Sequence, residues 1–211
     1  MSEKLNIYNL EWDLIGIQDR KDFYSEAKEE FASNWKITKK VHTIRVLIMS
    51  SLGRIILQKR SRNKSENPWL YDKTIWWHII AWDSADNTVI KECAEELSIP
   101  TTIVSHADFS SSLKNTKLDI IGILKHIDYI PDYISERVLK DKTVVKQPHT
   151  TSLYIGYYDG KIQFVDWESC WIETFSLEEL EEELEKNPDN FTQDIHFMIK
   201  KYRSHIIPLK K

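Results

Sequence analysis

The stretch Trp76–Ile99, WWHIIAWDSADNTVIKECAEELSI, constrains this chain more than any other. Its second half has helical spacing, starting near Asp83 or Ser84. Val89, Ile90, Cys93, Ala94 and Leu97 share one arc of that helix, suited to packing on a sheet. Glu92, Glu95 and Glu96 stand at i, i+3 and i+4 on a different face. Three carboxylates so close repel one another unless a positive charge lies among them. A hard divalent cation, Mg2+ or Mn2+, meets that need, because it prefers oxygen ligands shared with substrate phosphates. For an isolated E-x-x-E-E, a solvated acidic face is the plainer reading.

The wider pattern separates the two. Trp77, Asp83, Lys91, Glu92, Cys93, Glu95, Glu96, Ser98 and Ile99 fall at the spacing of the Nudix signature, G-x5-E-x7-R-E-U-x-E-E-x-G-U with U aliphatic. The departures are Trp for the first Gly, Asp for Glu, Lys for Arg, Cys for the aliphatic residue and Ser for the second Gly. Asp83 and Lys91 keep the charges of the residues they replace. The chain therefore resembles the Nudix hydrolases. That resemblance implies an α/β fold, an α/β/α sandwich with a mixed β-sheet between helices. It also implies a Mg2+-dependent hydrolase (Mn2+ serving as well) that cleaves a diphosphate linkage, a pyrophosphatase acting on acid anhydrides. By the same resemblance Glu92, Glu95 and Glu96 are the metal ligands and catalytic carboxylates, with Glu92 the base for the attacking water. Lys91 orients them.

A second cluster suits a phosphorylated substrate. Arg60 and Lys64, in Arg60-Ser-Arg-Asn-Lys64, follow an apparent strand and precede Asn67-Pro68, and such cations hold phosphate oxygens. Taken alone, a basic surface loop explains them better. GRIILQKRS (53–61), the later N-P and W-H and Val41-His42-Thr43 are similar to the branch holding the type 1 isopentenyl-diphosphate isomerases and their hydrolase-like relatives. His78 becomes a substrate-binding candidate on that ground, although His42 and His78 read more simply as packing histidines. The isomerases need a cysteine where this chain has Trp76, so isomerase is the alternative and hydrolysis leads. A catalytically silent Nudix domain that binds a phosphorylated ligand is the other alternative. Glu168 is a further ligand candidate, and a plain surface glutamate otherwise.

At 211 residues one domain is the simplest organisation, with a core over about 36–175 and C-terminal helices over about 176–203. A net charge of −4 gives no electrostatic case for a nucleic acid polymer or an acidic membrane. No apolar run reaches membrane-spanning length, and MSEKLNIYNL has no signal-peptide character, so a cytoplasmic location is expected. Cys93 and Cys170 suggest neither a disulfide framework nor a zinc cluster. The expected partner is a phosphorylated small molecule, with a homodimer left open.

In chain order, Leu5–Ile17 reads as a strand and turn, Asp19–Ala32 as helix, and Lys36–Met49 with Arg54–Lys59 as a hairpin about Ser50–Gly53. Ser61–Trp69 is a polar loop and Thr74–Ile80 a strand. Residues 100–117 predict a strand and a Ser-rich connection. Leu118–Tyr129 and Ser152–Tyr158 predict strands, with Pro131–Pro148 a polar, mobile insertion over the site. Asp159-Gly160 predicts a tight turn into a strand at Ile162–Val165. Ser176-Leu-Glu-Glu179 is a capping box opening a helix striped by Leu177, Leu180 and Leu184, and Thr192 starts another with Ile195, Met198, Ile199 and Tyr202.

Eight tryptophans are many for this length and five glycines few. Together they make thirteen residues, about 6% of the chain, an ordinary glycine content. Trp69, Trp76, Trp77 and Trp82 stand where the resembled family has glycine, and Trp35, Trp167 and Trp171 sit in turn-like contexts. One reading is UGA codons taken as tryptophan in a gene whose host reads them as glycine. The others are drift to a disused cleft filled by aromatics, and aromatic stacking on a substrate.

Overall fold

The computed structural model describes residues 3–163 and 169–209, the latter with side chains from Trp171 onward. An N-terminal hairpin of β1 (Lys4–Tyr8) and β2 (Leu14–Asp19) leads into α1 (Arg20–Asn34). Then come β3 (Val41–Met49), β4 (Ile55–Arg60), β5 (Tyr71–Asp72), β6 (Ile75–His78) and α2 (Ala85–Leu97). β7 (Thr101–Ile103), α3 (His106–Asn115), β8 (Gly122–Val138) and β9 (Val144–Tyr157) follow. β10 (Ser169–Phe175), α4 (Leu177–Lys186) and α5 (Gln193–Tyr202) come last. None of the described helices is long and apolar enough to cross a membrane.

Eight strands make one mixed sheet in the order β10-β4-β3-β9-β8-β7, with β5 paired to β4 and β6 to β3. β3–β9 and β7–β8 run parallel, and the other pairs are antiparallel. β3 lies inside the sheet, which is why VHTIRVLIM is apolar on both faces over its second half. Ile44, Val46 and Ile48 pack with Val89, Cys93 and Leu97 of α2. Leu47 and Met49 pack on the opposite face with Leu180 of α4 and Ile195, Met198 and Ile199 of α5. Burying each such aliphatic side chain contributes about 1.5–3 kcal/mol, before the entropy of ordering it. The sheet thus lies between helical layers, the α/β/α sandwich that the resemblance implied.

The α5 face of the sheet changes character along its length. Beyond Leu47 come Arg45 and Thr43, and the register sets Arg45 opposite Trp76 of β6 and Val41 beside His149 of β9. Arg45 is fully buried and its Nε donates to Asp194 of α5 at 2.9 Å. Asp194 also receives Lys73 Nζ at 2.5 Å and the Tyr133 hydroxyl at 2.6 Å. Lys73 reaches Asp72 at 2.8 Å, and Asp72 accepts from Arg60 Nη1 at 3.1 Å and from Thr192 Oγ1 at 2.9 Å. Burial alone would raise the Asp194 pKa, and Arg45 and Lys73 outweigh it, so the carboxyl stays ionised far below its usual range.

The structure departs from three of the expectations. The Ser-rich connection after β7 is the helix α3, because Ser105 caps it by accepting the Asp108 N–H at 3.2 Å. Pro131–Pro148 is no mobile insertion but the outer half of the β8–β9 hairpin, with Tyr133, Ser135 and Arg137 buried at alternate positions. Pro131 is tolerated because the ladder is already broken between Ile130 and Tyr133. The strand expected at Ile162–Val165 is absent over 161–163, and the rest of that stretch lies outside the described residues. The capping box at Ser176 forms as expected, with Glu179 returning its side chain to the Ser176 N–H at 2.8 Å.

Candidate active site

Helix α2 presents the three carboxylates from a well-fixed start. Ser84 is its N-cap, with Oγ accepting the Asn87 N–H at 3.1 Å. Its far end closes on Ser98 in a left-handed conformation at φ 55°. Once Val89, Cys93 and Leu97 are fixed against the sheet, the remaining faces are set by geometry. Glu92 falls at the buried margin, Glu96 at the edge of a cleft, and Glu95 outside, 59% exposed at its side chain.

Glu92 is 3% exposed, and among the described residues its ion-pair partner is Lys91, 3.8 Å away. Burial pushes its pKa up to about 7, with Glu95 adding to the rise and Lys91 opposing it. Lys91 also lies 3.6 Å from Glu95. A buried carboxylate this poorly compensated suits a hard cation nearby, and oxygen donors on successive turns are the right chemistry for one. Still, no group of three acidic, His or Cys side chains among the described residues converges closely enough to hold an ion as the side chains stand.

The cleft beside Glu96 has a volume of about 200 Å3. Its walls come from α1 (Arg20, Tyr24, Lys28), β4 (Gln58, Arg60), the loop at Lys64–Glu66, β5–β6 (Asp72, Lys73, Trp76, Trp77) and Arg137 of β8. Gln58 Nε2 donates to Glu96 at 3.3 Å, linking the wall to the helix. Arg60 is tied down, with Nη1 on Asp72 and Nε and Nη2 on the Glu66 carbonyl at 3.3 and 3.1 Å. Arg137 donates from Nη1 to Glu66 Oε2 at 2.5 Å, while its Nε is buried without a partner among the described residues. Burial opposes ionisation of Glu66, and Arg137 outweighs it, so that carboxyl also titrates below its usual range.

Of the residues expected from sequence, Arg60, Lys64 and Glu96 line the cleft, whereas Glu92, Glu95, Lys91 and His78 do not. His78 is buried with Nε2 3.1 Å from Glu3 Oε2, turned to the N-terminal segment instead of the cleft. The hydrogen bond with His78, helped by Arg20, pulls the Glu3 pKa down to about 2. His42 sits 3.0 Å from Ser152 Oγ, edge-on to Tyr129, and burial lowers its pKa to about 4, as a packing histidine would show. Asp83 accepts the Ser84 N–H at 2.8 Å, whereas Lys91 pairs with Glu92 and Glu95. Cys93 is buried under α2, with burial pushing its thiol up to about 12. Glu168 lies outside the described residues.

Sequence reading missed Arg20, Lys28, Lys73 and Arg137. They are far apart along the chain and sit in no motif, so only the packing of α1 and the β8–β9 hairpin against β4–β6 gathers them. The Trp76 and Trp77 indoles form part of the same wall. Arg137 stacks 4.3 Å above the Trp76 ring and Arg20 4.5 Å above Trp77.

No family model matches the sequence, and no curated protein matches it. Similarity appears at the level of solved structures. DR0079 from Deinococcus radiodurans is 16% identical, with a TM-score of 0.61 over 94% of this chain and 98% of its own. A MutT protein from Methanosarcina mazei is 14% identical, with a TM-score of 0.52 over 79% of this chain and 94% of its own. A bifunctional NMN adenylyltransferase/ADP ribose pyrophosphatase from Francisella tularensis, solved with AMP and a Mn ion, is 12% identical, with a TM-score of 0.51 over 89% of this chain and 47% of its own. What the likeness covers is the architecture, a mixed sheet between helices. This chain has the Nudix fold.

Proposed function

We propose that this protein is a hydrolase that cleaves a diphosphate linkage in a phosphorylated small molecule, with Mg2+ or Mn2+ as cofactor. The observation that carries the reading is one juxtaposition. Glu96 stands in the wall of a cleft furnished with Arg20, Arg60, Lys64, Lys73 and Arg137, and Glu92 is buried one turn behind it. Cations with fixed guanidinium forks suit phosphate oxygens, and carboxylates on successive turns suit a hard metal ion. The Francisella neighbour, solved with AMP and Mn, supports a nucleoside-diphosphate-like substrate class and a divalent ion.

Glu92, Glu95 and Glu96 would hold the ion, which when bound neutralises charge on the diphosphate oxygens. Arg137 and Lys64 bind and orient the substrate, while Arg60, held on Asp72 and Glu66, stiffens that wall. Glu92 takes the proton of the attacking water on its carboxylate. Its burial raises its affinity for that proton. The water oxygen bonds to one phosphorus, the bridging P–O bond breaks, and the departing phosphate carries the electron pair. Lys91, 3.8 Å from Glu92 and 3.6 Å from Glu95, orients the two glutamates.

A silent binding domain is the second reading, favoured by the failure of the three carboxylates to converge. The test is Mg2+-dependent release of phosphate or pyrophosphate from a panel of nucleoside diphosphate derivatives and prenyl diphosphates. Glu95→Gln and Glu96→Gln serve as controls, and the panel is run on the chain as it stands and with glycine at the tryptophan positions. Release abolished by both substitutions is the expected result. No release from either form sinks the hydrolase reading and leaves the binding domain.

A further inference from the structure

Four of the seven described tryptophans, Trp12, Trp35, Trp69 and Trp82, have left-handed backbones, with φ of 78°, 53°, 65° and 69°. A few per cent of non-glycine residues do so, and a bulky side chain is an outlier there, because Cβ crowds the neighbouring carbonyl. Among the described non-glycine residues only Asn67, Ser98 and Lys142 share the conformation.

Each of the four is a position with a known demand for glycine. Asn67-Pro68-Trp69-Leu70 is a turn closed by Leu70 N–H to Asn67 O at 3.4 Å, with proline second and positive φ third, the type II arrangement. Ile80-Ala81-Trp82-Asp83 repeats it, closed by Asp83 N–H to Ile80 O at 3.1 Å. Trp35 is the left-handed C-cap of α1, donating its N–H to Phe31 O. Trp12 ends the turn begun by Asn9 in the β1–β2 hairpin, where glycine follows a type I turn.

The side chains fit no better than the backbones. The indole N–H groups of Trp12, Trp76 and Trp77 are buried without a partner among the described residues, whereas a buried indole ordinarily finds one. Around Trp76 the unpartnered atoms accumulate, since Arg137 Nε and both ring nitrogens of buried His149 are orphaned too. The Trp76 indole lies against these polar groups without giving them a hydrogen-bond partner. Trp35 and Trp82, 75% and 79% exposed, gain little by burial to offset their strain.

We propose that the working protein carries glycine at its tryptophan positions, encoded by a codon that its host reads as glycine. A reassigned codon acts wherever it occurs, so Trp76, Trp77 and Trp171 follow, as does Trp167 outside the described residues. The cleft then gains the room of two indoles beside Arg137 and Glu96. This inference stands on backbone geometry and does not depend on the hydrolase reading.

Two measurements test it. In recombinant protein, Trp35→Gly with Trp82→Gly raises Tm by roughly 2–4 °C per site, while Trp35→Ala with Trp82→Ala brings no such gain, because alanine keeps the Cβ. Glycine and alanine pairs that lower Tm alike would overturn the proposal. Peptide mass spectrometry of the protein from its own host is expected to give glycine masses at 12, 35, 69 and 82, with UGA codons in the gene. Tryptophan masses or UGG codons there would overturn it even if the glycine pair were stabilising.

Discussion

Removing the Asp194 carboxylate by Asp194→Ala tests how the C-terminal helix is held to the sheet beside the cleft. Asp194 is 5% exposed and accepts from Arg45 Nε at 2.9 Å, Lys73 Nζ at 2.5 Å and Tyr133 OH at 2.6 Å. The variant leaves Arg45, fully buried, and Lys73, 4% exposed, without their shared counter-charge, and Lys73 falls back on Asp72. Breaking a buried pair by deleting one partner costs about 3–5 kcal/mol, since the stranded charge remains out of water. In a chain this long each kcal/mol moves Tm by about 2–4 °C, so the drop expected is roughly 6–20 °C. A thermal melt reads that drop, and equilibrium urea unfolding at pH 7 measures the free-energy loss, with an unchanged m-value showing that the same surface is exposed. Glu182→Ala is the comparison, because its pairing with Lys186 is a solvent-screened surface i,i+4 contact. A loss below about 1 kcal/mol for Asp194→Ala would mean that the cluster adds nothing to stability, and the account of how α5 is fixed would fail.

Acidification has a defined sign. Burial lowers the pKa of His42 to about 4 and also lowers those of His78 and His149, so between about pH 6.5 and 4 these three bind more protons in the unfolded chain, outweighing the single buried Glu92, whose raised pKa acts in the opposite sense. Stability therefore falls as pH drops through that window, by up to about 1.4 kcal/mol per pH unit for each histidine, and a urea midpoint that does not change between pH 7.5 and 5.5 would contradict it. Gly156→Ala places a Cβ 2.3 Å from the Ile123 carbonyl oxygen and 2.7 Å from Leu124 Cα, so the β8–β9 pairing must shift at a cost of about 1–3 kcal/mol, read by urea unfolding. Arg137→Leu is expected to raise KM about tenfold or more with a smaller effect on kcat, and a pure kcat loss would remove Arg137 from substrate binding. Glu92→Gln is expected to remove most of the rate, and full activity would end its role as base.

Much of the fold is written locally. The apolar arc of Val89, Cys93 and Leu97, the Ser84 cap and the Ser176 capping box each need only neighbours within a turn or two, so their helices follow from sequence. The β-branched run of β3 marks a strand buried on both faces for the same reason. Residues 131–148 misled because prolines and polar side chains mark loops only where water takes up their hydrogen bonds. Here Ser135, Arg137 and Gln147 are buried by the partner strand and by α1, an environment that no local pattern carries.

The site divides along the same line. The sequence alone places Glu92, Glu95 and Glu96 on one helix face, because helical periodicity is a property of consecutive residues. Which of them is buried, which meets the cleft and which faces solvent depends on how far α2 is rotated on the sheet, and the packing of Val89, Cys93 and Leu97 decides that. The cations of the cleft are a tertiary matter altogether, since Arg20, Lys64, Lys73 and Arg137 meet only when α1, β4–β6 and the β8–β9 hairpin close on one another. Composition raised the question of the tryptophans, and the backbone angles at four of them could come only from the tertiary structure, because the sign of φ at a turn is set by the path the folded chain must take.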